Sequence, residues 1–194
     1  MNAKIRFWLS LYCFCVLTTD ALAEETFHPS RMRFLVHGGY QLTEDLNLRI
    51  HFIPAGNLIG PVAPIIHPGL GIKLASWLEM EAVAGWCFAT DNPLFSLRVT
   101  PTLGDFYAWL DGEYQYPSQN FYWFVQAEYK ILDWLQAGVE GEGWGDFKDA
   151  PWSNGGGPNL LLRLNHIGAD FSLHTRELRG VIKPEFFLRV HVFL

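Results

Sequence analysis

The chain has 194 residues and a formal net charge of −6, from 14 Lys and Arg against 20 Asp and Glu. This length fits one domain, and the acidic balance argues against a nucleic-acid partner, which requires a basic face. Hydrophobic residues make up 49% of the chain and charged residues 18%, which excludes an intrinsically disordered protein.

The first segment of the chain has the parts of a secretory signal peptide. Lys4 and Arg6 precede an apolar run over residues 7–17, and Ala21 and Ala23 are the small residues that a signal peptidase reads. As a helix this run reaches only about 16 Å, too short for a bilayer core of about 30 Å. We therefore expect residues 1–23 to be a cleaved signal peptide and residues 24–194 to form a single domain.

Strict alternation of apolar and polar residues recurs along the rest of the chain and predicts β-strands with two different faces. In residues 78–88 the apolar side chains of Leu78, Met80 and Ala82 alternate with Glu79 and Glu81. Strand candidates are residues 33–42, 46–53, 68–75, 78–88, 94–103, 106–116, 120–131, 135–145, 159–165, 168–176 and 185–194. Very short connections alternate with longer ones at 54–67 and 146–158, and the run Gly155-Gly156-Gly157-Pro158 predicts a flexible loop tip.

The last candidate strand, residues 185–194, has apolar residues at every second position back from Leu194 to Phe186. With the short and long connections, this pattern resembles the Gram-negative outer-membrane β-barrel class. The resemblance implies an all-β, antiparallel up-and-down transmembrane barrel in the bacterial outer membrane, with outer-membrane lipids and the barrel assembly machinery as partners. Leu194 stands where this class usually has a final aromatic residue. The difference bears on the efficiency of barrel assembly more than on the architecture.

Two features of the predicted barrel have alternatives: the number of its strands, and whether it lies in a membrane or in water. Single-chain bacterial barrels have an even number of strands, so we expect about twelve, with residues 24–32 as the additional strand, and ten or eight as alternatives. A soluble secreted sandwich or lipocalin-like barrel also predicts alternation. Such a fold would place the charges outside and an aromatic-rich set inside, which this composition does not favour.

If the apolar parity faces lipid, the opposite parity lines the lumen, and its charges divide into two walls. The basic wall comes from the first two and last two strands and consists of Arg33, His37, Arg49, His51, His174, Arg176, Arg189 and His191. The acidic wall comes from the middle strands and consists of Glu79, Glu81, Asp111, Glu113, Glu128, Glu140 and Glu142. These walls are the candidate functional residues.

The two walls support more than one function. A transverse field across an open lumen predicts a porin-like channel that transports small polar or acidic solutes. Walls that meet in salt bridges predict instead a closed structural or adhesive barrel, because unpaired charges in a narrow space are costly.

An enzyme is the third hypothesis. Ser172, His174 and Glu185 resemble the Ser/His/Glu set of the lipid A deacylases, although their order is reversed and their parity points inward. We expect no enzymatic activity and no cofactor. We also expect no metal, since the inward histidines lack the spacing of a metal motif.

Overall fold

The structure, a computed structural model, describes residues 30–55, 64–147, 152–178 and 180–194. The predicted signal peptide, residues 1–23, lies outside the described residues. The described residues form eleven strands and no helix. The strands are β1 (Ser30–Gln41), β2 (Leu46–Ala55), β3 (Ile65–Ala75), β4 (Leu78–Cys87), β5 (Asn92–Leu103), β6 (Phe106–Gln115), β7 (Asn120–Leu132), β8 (Leu135–Asp146), β9 (Ser153–Leu164), β10 (Ile167–Leu178) and β11 (Val181–Phe193).

The strands close into a barrel in chain order. Each strand pairs antiparallel with the next, and β1 pairs with β11 in parallel, from Ser30 opposite Phe186 to His37 opposite Phe193. The predicted all-β closed barrel is therefore confirmed. The described residues form eleven of these strands, where about twelve were expected and ten or eight were the alternatives. Of the residues expected to form an additional strand, 30–32 belong to β1, which pairs directly with β11, and 24–29 lie outside the described residues.

Alternation located every strand, but β1, β3, β9 and β11 begin three or more residues earlier than predicted. Strand β3 begins at Ile65, and β9 begins at Ser153, whereas the pattern predicted starts at residues 68 and 159. The expected loop tip Gly155-Gly156-Gly157-Pro158 is wrong, because these residues lie inside β9 and pair with both β8 and β10. Glycines in a strand mark places where other groups approach the backbone closely.

The outer face of the barrel is apolar. Large side chains there are strongly exposed, as for Leu173 at 63% and Leu70 at 51% of their accessible surface. Aromatic residues near the strand ends, including Tyr40, Trp77 and Trp134, are also exposed. A closed barrel with an apolar outside and a polar inside is what a membrane β-barrel requires, and a soluble barrel would have the reverse arrangement.

None of the described residues belongs to a helix long and apolar enough to cross a membrane.

The two ends of the barrel differ. At one end, here the turn end, very short connections join β3 to β4 at Ser76-Trp77, β5 to β6 at Gly104-Asp105 and β7 to β8 at Asp133-Trp134. The opposite end, here the loop end, carries the connection from β2 to β3 and that from β8 to β9. Since β1 and β11 run in parallel, β1 begins at the loop end and β11 finishes at the turn end.

Candidate functional site

The interior of the barrel is filled with charged side chains. The alternation that turns Leu78, Met80 and Ala82 outward on β4 turns Glu79 and Glu81 inward. The buried charged residues of the described chain are Arg31, Glu81, Arg98, Asp111, Glu113, Glu128, Glu140, Glu142, Asp170, Arg176, Glu185 and Arg189. Because charges leave water only when they are paired or hydrogen-bonded, the partners of these groups determine what the interior can do.

Four of these residues form a compact cluster in the loop-end half of the barrel: Arg31, Glu142, Arg176 and Glu185, here the loop-end network. Arg176 Nη2 lies 2.5 Å from Glu142 Oε1, and Arg176 Nε lies 2.7 Å from Glu185 Oε2. Arg31 Nε lies 2.6 Å from Glu185 Oε1, and the Arg31 guanidinium also donates to Glu142. Each guanidinium thus bridges the same two carboxylates, which come from strands on opposite sides of β9 and β10.

Aromatic rings and one tyrosine enclose the loop-end network. The Arg176 guanidinium carbon lies 4.2 Å from the centre of the Trp144 ring, and that of Arg31 lies 4.2 Å from the centre of Phe187. The Tyr122 hydroxyl donates to Glu142 Oε2 at 3.0 Å. These contacts exclude water from the ion pairs, so packing as well as charge holds the network together.

Two further clusters fill the middle of the barrel. In the first, Arg189 donates to both Glu140 and Asp170, and His174 Nε2 lies 2.7 Å from Glu140 Oε1. In the second, Arg98 connects three partners: Asp111 Oδ2 at 3.0 Å, Glu81 Oε1 at 3.1 Å and His67 Nδ1 at 2.9 Å. His67 Nε2 in turn lies 3.2 Å from Glu113 Oε2.

Two glycines allow ion pairs to form between strands that are not neighbours. Glu142 on β8 and Arg176 on β10 both pair in register with Gly155 on β9. A Cβ atom at Gly155 would lie 2.9 Å from the Arg176 guanidinium carbon. A Cβ atom at Gly71 on β3 would likewise lie 2.8 Å from Glu79 Oε1, next to the side chain of Arg49. In both places the missing side chain leaves the space that the ion pair occupies.

The turn-end half of the barrel contains a cavity of about 420 Å³ that is lined by charged, histidine and aromatic side chains, here the vestibule. Its wall includes a chain of hydrogen-bonded groups that runs from Glu81 through three histidines. Glu81 Oε1 lies 2.7 Å from His51 Nε2, the Nδ1 atoms of His51 and His37 are 2.8 Å apart, and His37 Nε2 lies 3.0 Å from His191 Nδ1. With one proton on each ring, every contact has one donor and one acceptor, so the chain is satisfied with neutral imidazoles.

Every residue of the two predicted walls lies on the polar face of its strand, and this face is directed into the barrel. The structure brings members of opposite walls into contact, in the pairs Arg33–Glu142, Arg49–Glu79, His51–Glu81, His174–Glu140, Arg176–Glu142 and Arg189–Glu140. Asp111 and Glu113 instead contact Arg98 and His67. Glu128 has no cationic side chain within ion-pair distance among the described residues.

Several interior residues were not assigned to the walls by the sequence analysis. Arg31 and His67 precede the predicted starts of their strands, and Asp170 and Glu185 share the inward parity of His174 and Arg189. Parity would have identified the two carboxylates. No sequence signal gave the true starts of β1 and β3, which place Arg31 and His67 inside.

The residues of the hydrolase hypothesis are buried inside the barrel. His174 and Glu185 form a cross-strand pair, with His174 Nδ1 3.8 Å from Glu185 Oε2, and Ser172 is buried. Glu142, His174 and Glu185 also present ligand atoms within 4.8 Å of one another, a spacing that suits a metal ion. Arg31 and Arg176 already neutralise those carboxylates, and their charge opposes the binding of a cation there.

Comparison with known proteins found no protein-family model and no curated protein that matches this chain.

Proposed function

We propose that this protein is a bacterial outer-membrane β-barrel whose lumen is closed by the loop-end network, leaving a vestibule that opens only at the turn end. The observation that carries the proposal is the double bridge of Arg31 and Arg176 to the same pair of carboxylates, Glu142 and Glu185. All four side chains are at most 6% exposed.

The outer membrane is the location that suits the fold and the leader. An exported barrel with an apolar outer face is stable only in a lipid bilayer. Closed barrels of this kind are characteristic of outer membranes. Cell fractionation of the expressed protein tests this. We expect it in the outer-membrane fraction, with faster gel mobility before boiling than after, whereas recovery in the soluble periplasmic fraction would contradict the location.

Closure follows from the cost of separating the charges. A solute passing the loop-end half would have to displace guanidinium groups from buried carboxylates, and leaving one such partner alone costs about 3–5 kcal/mol. The protein would then act as a rigid, closed structural barrel. This is the alternative that the sequence predicts if the two charged walls meet in salt bridges.

Porin-like passage of small polar or acidic solutes is the second candidate, and the vestibule favours it. A cavity of about 420 Å³ lined by His37, Arg49, Arg98 and Lys130 would admit a small anion as far as the middle of the barrel. This candidate requires the loop-end network to open.

Conductance in planar bilayers separates the two candidates. We expect purified wild-type protein, inserted in the folded form, to give no ion steps over a range of voltage and salt. A variant with Arg31, Glu142, Arg176 and Glu185 all replaced by Ser removes both signs of charge together and should conduct. Its control is Leu173→Ser on the lipid-facing surface, which should stay silent. Steps from the wild type would overturn closure and establish the porin-like candidate.

A further inference from the structure

Two oppositely charged side chains that line the vestibule lack an ionic partner in the described ranges: Glu128 and Arg163. The other charged groups of this wall are paired, for example Arg49 with Glu79 at 2.5 Å and Lys130 with Asp105 at 3.5 Å. An unpaired carboxylate and an unpaired guanidinium in one cavity form the complement of a ligand that carries both charges.

Glu128 lies at the inner end of the vestibule and is 1% exposed. Its Oε1 atom accepts hydrogen bonds from Gln126 Nε2 at 2.8 Å and from Asn159 Nδ2 at 2.5 Å. Its Oε2 atom and the Oδ1 atom of Asn159 are buried without a donor in the described structure. Two adjacent residues therefore each offer a free acceptor, and an ammonium group, which has three donors and no acceptor, satisfies both.

Arg163 lies nearer the turn end of the same cavity and is exposed. Its guanidinium carbon lies 4.5 Å from the centre of the Phe193 ring, which holds the group over the vestibule. Arg163 follows Asn159 by four positions on β9, so the two Cα atoms are about 13 Å apart along the strand. The length of the arginine side chain allows the cation to approach Glu128 more closely than its Cα atom does.

We propose that the vestibule binds a small zwitterion whose ammonium and carboxylate are separated by a short apolar chain. The ammonium would bind Glu128 Oε2 and Asn159 Oδ1, and the carboxylate would bind the Arg163 guanidinium through charge-assisted hydrogen bonds. Trp109 and Phe193 also line the cavity and would supply apolar surface to the chain between the two charges. The volume of about 420 Å³ is that of a small-molecule site.

This site goes beyond closure of the barrel, because the vestibule holds its ligand whether or not the loop-end network opens. Calorimetric titration of the folded full-length mature protein in detergent tests it with three probes of equal length. They are 6-aminohexanoate, which carries both charges, 6-aminohexan-1-ol, which has only the ammonium, and 6-hydroxyhexanoate, which has only the carboxylate. We expect 6-aminohexanoate to bind about tenfold or more tightly than either probe with a single charge.

Two variants assign the ends of the ligand. Arg163→Gln should weaken 6-aminohexanoate about tenfold while leaving 6-aminohexan-1-ol unchanged, and Glu128→Gln should do the same while leaving 6-hydroxyhexanoate unchanged. Lys73→Gln is the matched control, since Lys73 is an exposed cation of β3 outside the vestibule lining, and it should bind all three probes as the wild type does.

Equal binding of the three probes, or an equal loss of 6-aminohexanoate binding in Lys73→Gln and Arg163→Gln, would overturn the proposal. Absence of 6-aminohexanoate binding to the folded wild type would overturn it as well. The exposed position of Arg163 keeps the test available if Glu128→Gln does not fold, because the Arg163→Gln comparison alone must show the predicted loss.

Discussion

Arg176 on β10 and Glu142 on β8 lie 2.5 Å apart although an entire strand, β9, separates them. The residue of β9 that stands between them in register is Gly155. Since any other residue would place a side chain where the guanidinium lies, the ion pair depends on this glycine as much as on its two charged members.

Gly155→Ala should therefore lower the free energy of unfolding by about 1–3 kcal/mol, the usual cost of overpacking a filled interior. The new Cβ atom would lie 2.9 Å from the Arg176 guanidinium carbon, which is held on both sides by carboxylates. The measurement is the urea midpoint of the folded, fast-migrating form in lipid vesicles.

Gly112→Ala is the matched control for that prediction. Gly112 also lies inside a strand, but the nearest atom to an added Cβ is Phe121 Cζ at 3.7 Å, an ordinary contact. This variant should be neutral or slightly stabilising. Equal losses in the two variants would mean that glycine content in general, and not space for the ion pair, determines the result.

Differences in burial should give two ion pairs, each formed beside a strand glycine, very different contributions to stability. Arg176→Met leaves Glu142 and Glu185 with one guanidinium fewer in a dry interior and should cost about 3–5 kcal/mol. Arg49→Met removes a partner of Glu79 in a pair whose side chains are 33% and 29% exposed, so it should cost about 0–1 kcal/mol. Urea unfolding of both variants in the same vesicles measures the difference, and a similar loss for both would contradict the dry interior of the loop-end half.

The alternation of the sequence was sufficient to find the strands of the described residues, and a general rule then added one more. Eleven segments were identified directly, and the twelfth was added only because bacterial barrels usually have an even count. The parallel pairing of Arg31 with Phe187 and of Leu35 with His191 across the seam has no local signature. It depends on which two strands meet when the sheet closes.

The partners of the interior charges were even less accessible from the sequence. Parity showed that Glu142 and Arg176 point inward, but which charges meet depends on the stagger between strands and on Gly155. The glycine run was interpreted as a loop because its composition is typical of loops. In this barrel the glycines instead lie inside a strand, where they allow side chains of the two neighbouring strands to approach each other closely.

The apolar outer face gives a prediction that depends on membrane depth. Leu173 lies in the middle of β10 and is 63% exposed, while Leu164 lies at the turn end of β9 and is 68% exposed. In lipid, Leu173→Arg should cost about 2–4 kcal/mol and Leu164→Arg about 0–1 kcal/mol. Folding titrations in vesicles measure both costs. Because the two side chains are almost equally exposed, a soluble barrel would tolerate both arginines equally well.

The direction of the strands makes a prediction about orientation. Short turns of outer-membrane barrels face the periplasm, which places Asp133 at the turn end on that side and Thr90 at the loop end outside. In a Cys87→Ser background, a membrane-impermeant maleimide should label Thr90→Cys on intact cells but label Asp133→Cys, whose side chain is 98% exposed, only after the outer membrane is permeabilised. Because β11 finishes at the turn end, a cysteine appended after Leu194 should behave like Asp133→Cys. Labelling of the appended cysteine on intact cells together with Thr90→Cys would contradict the antiparallel order of β8 to β11, since four consecutive antiparallel strands that begin at the turn end also finish there.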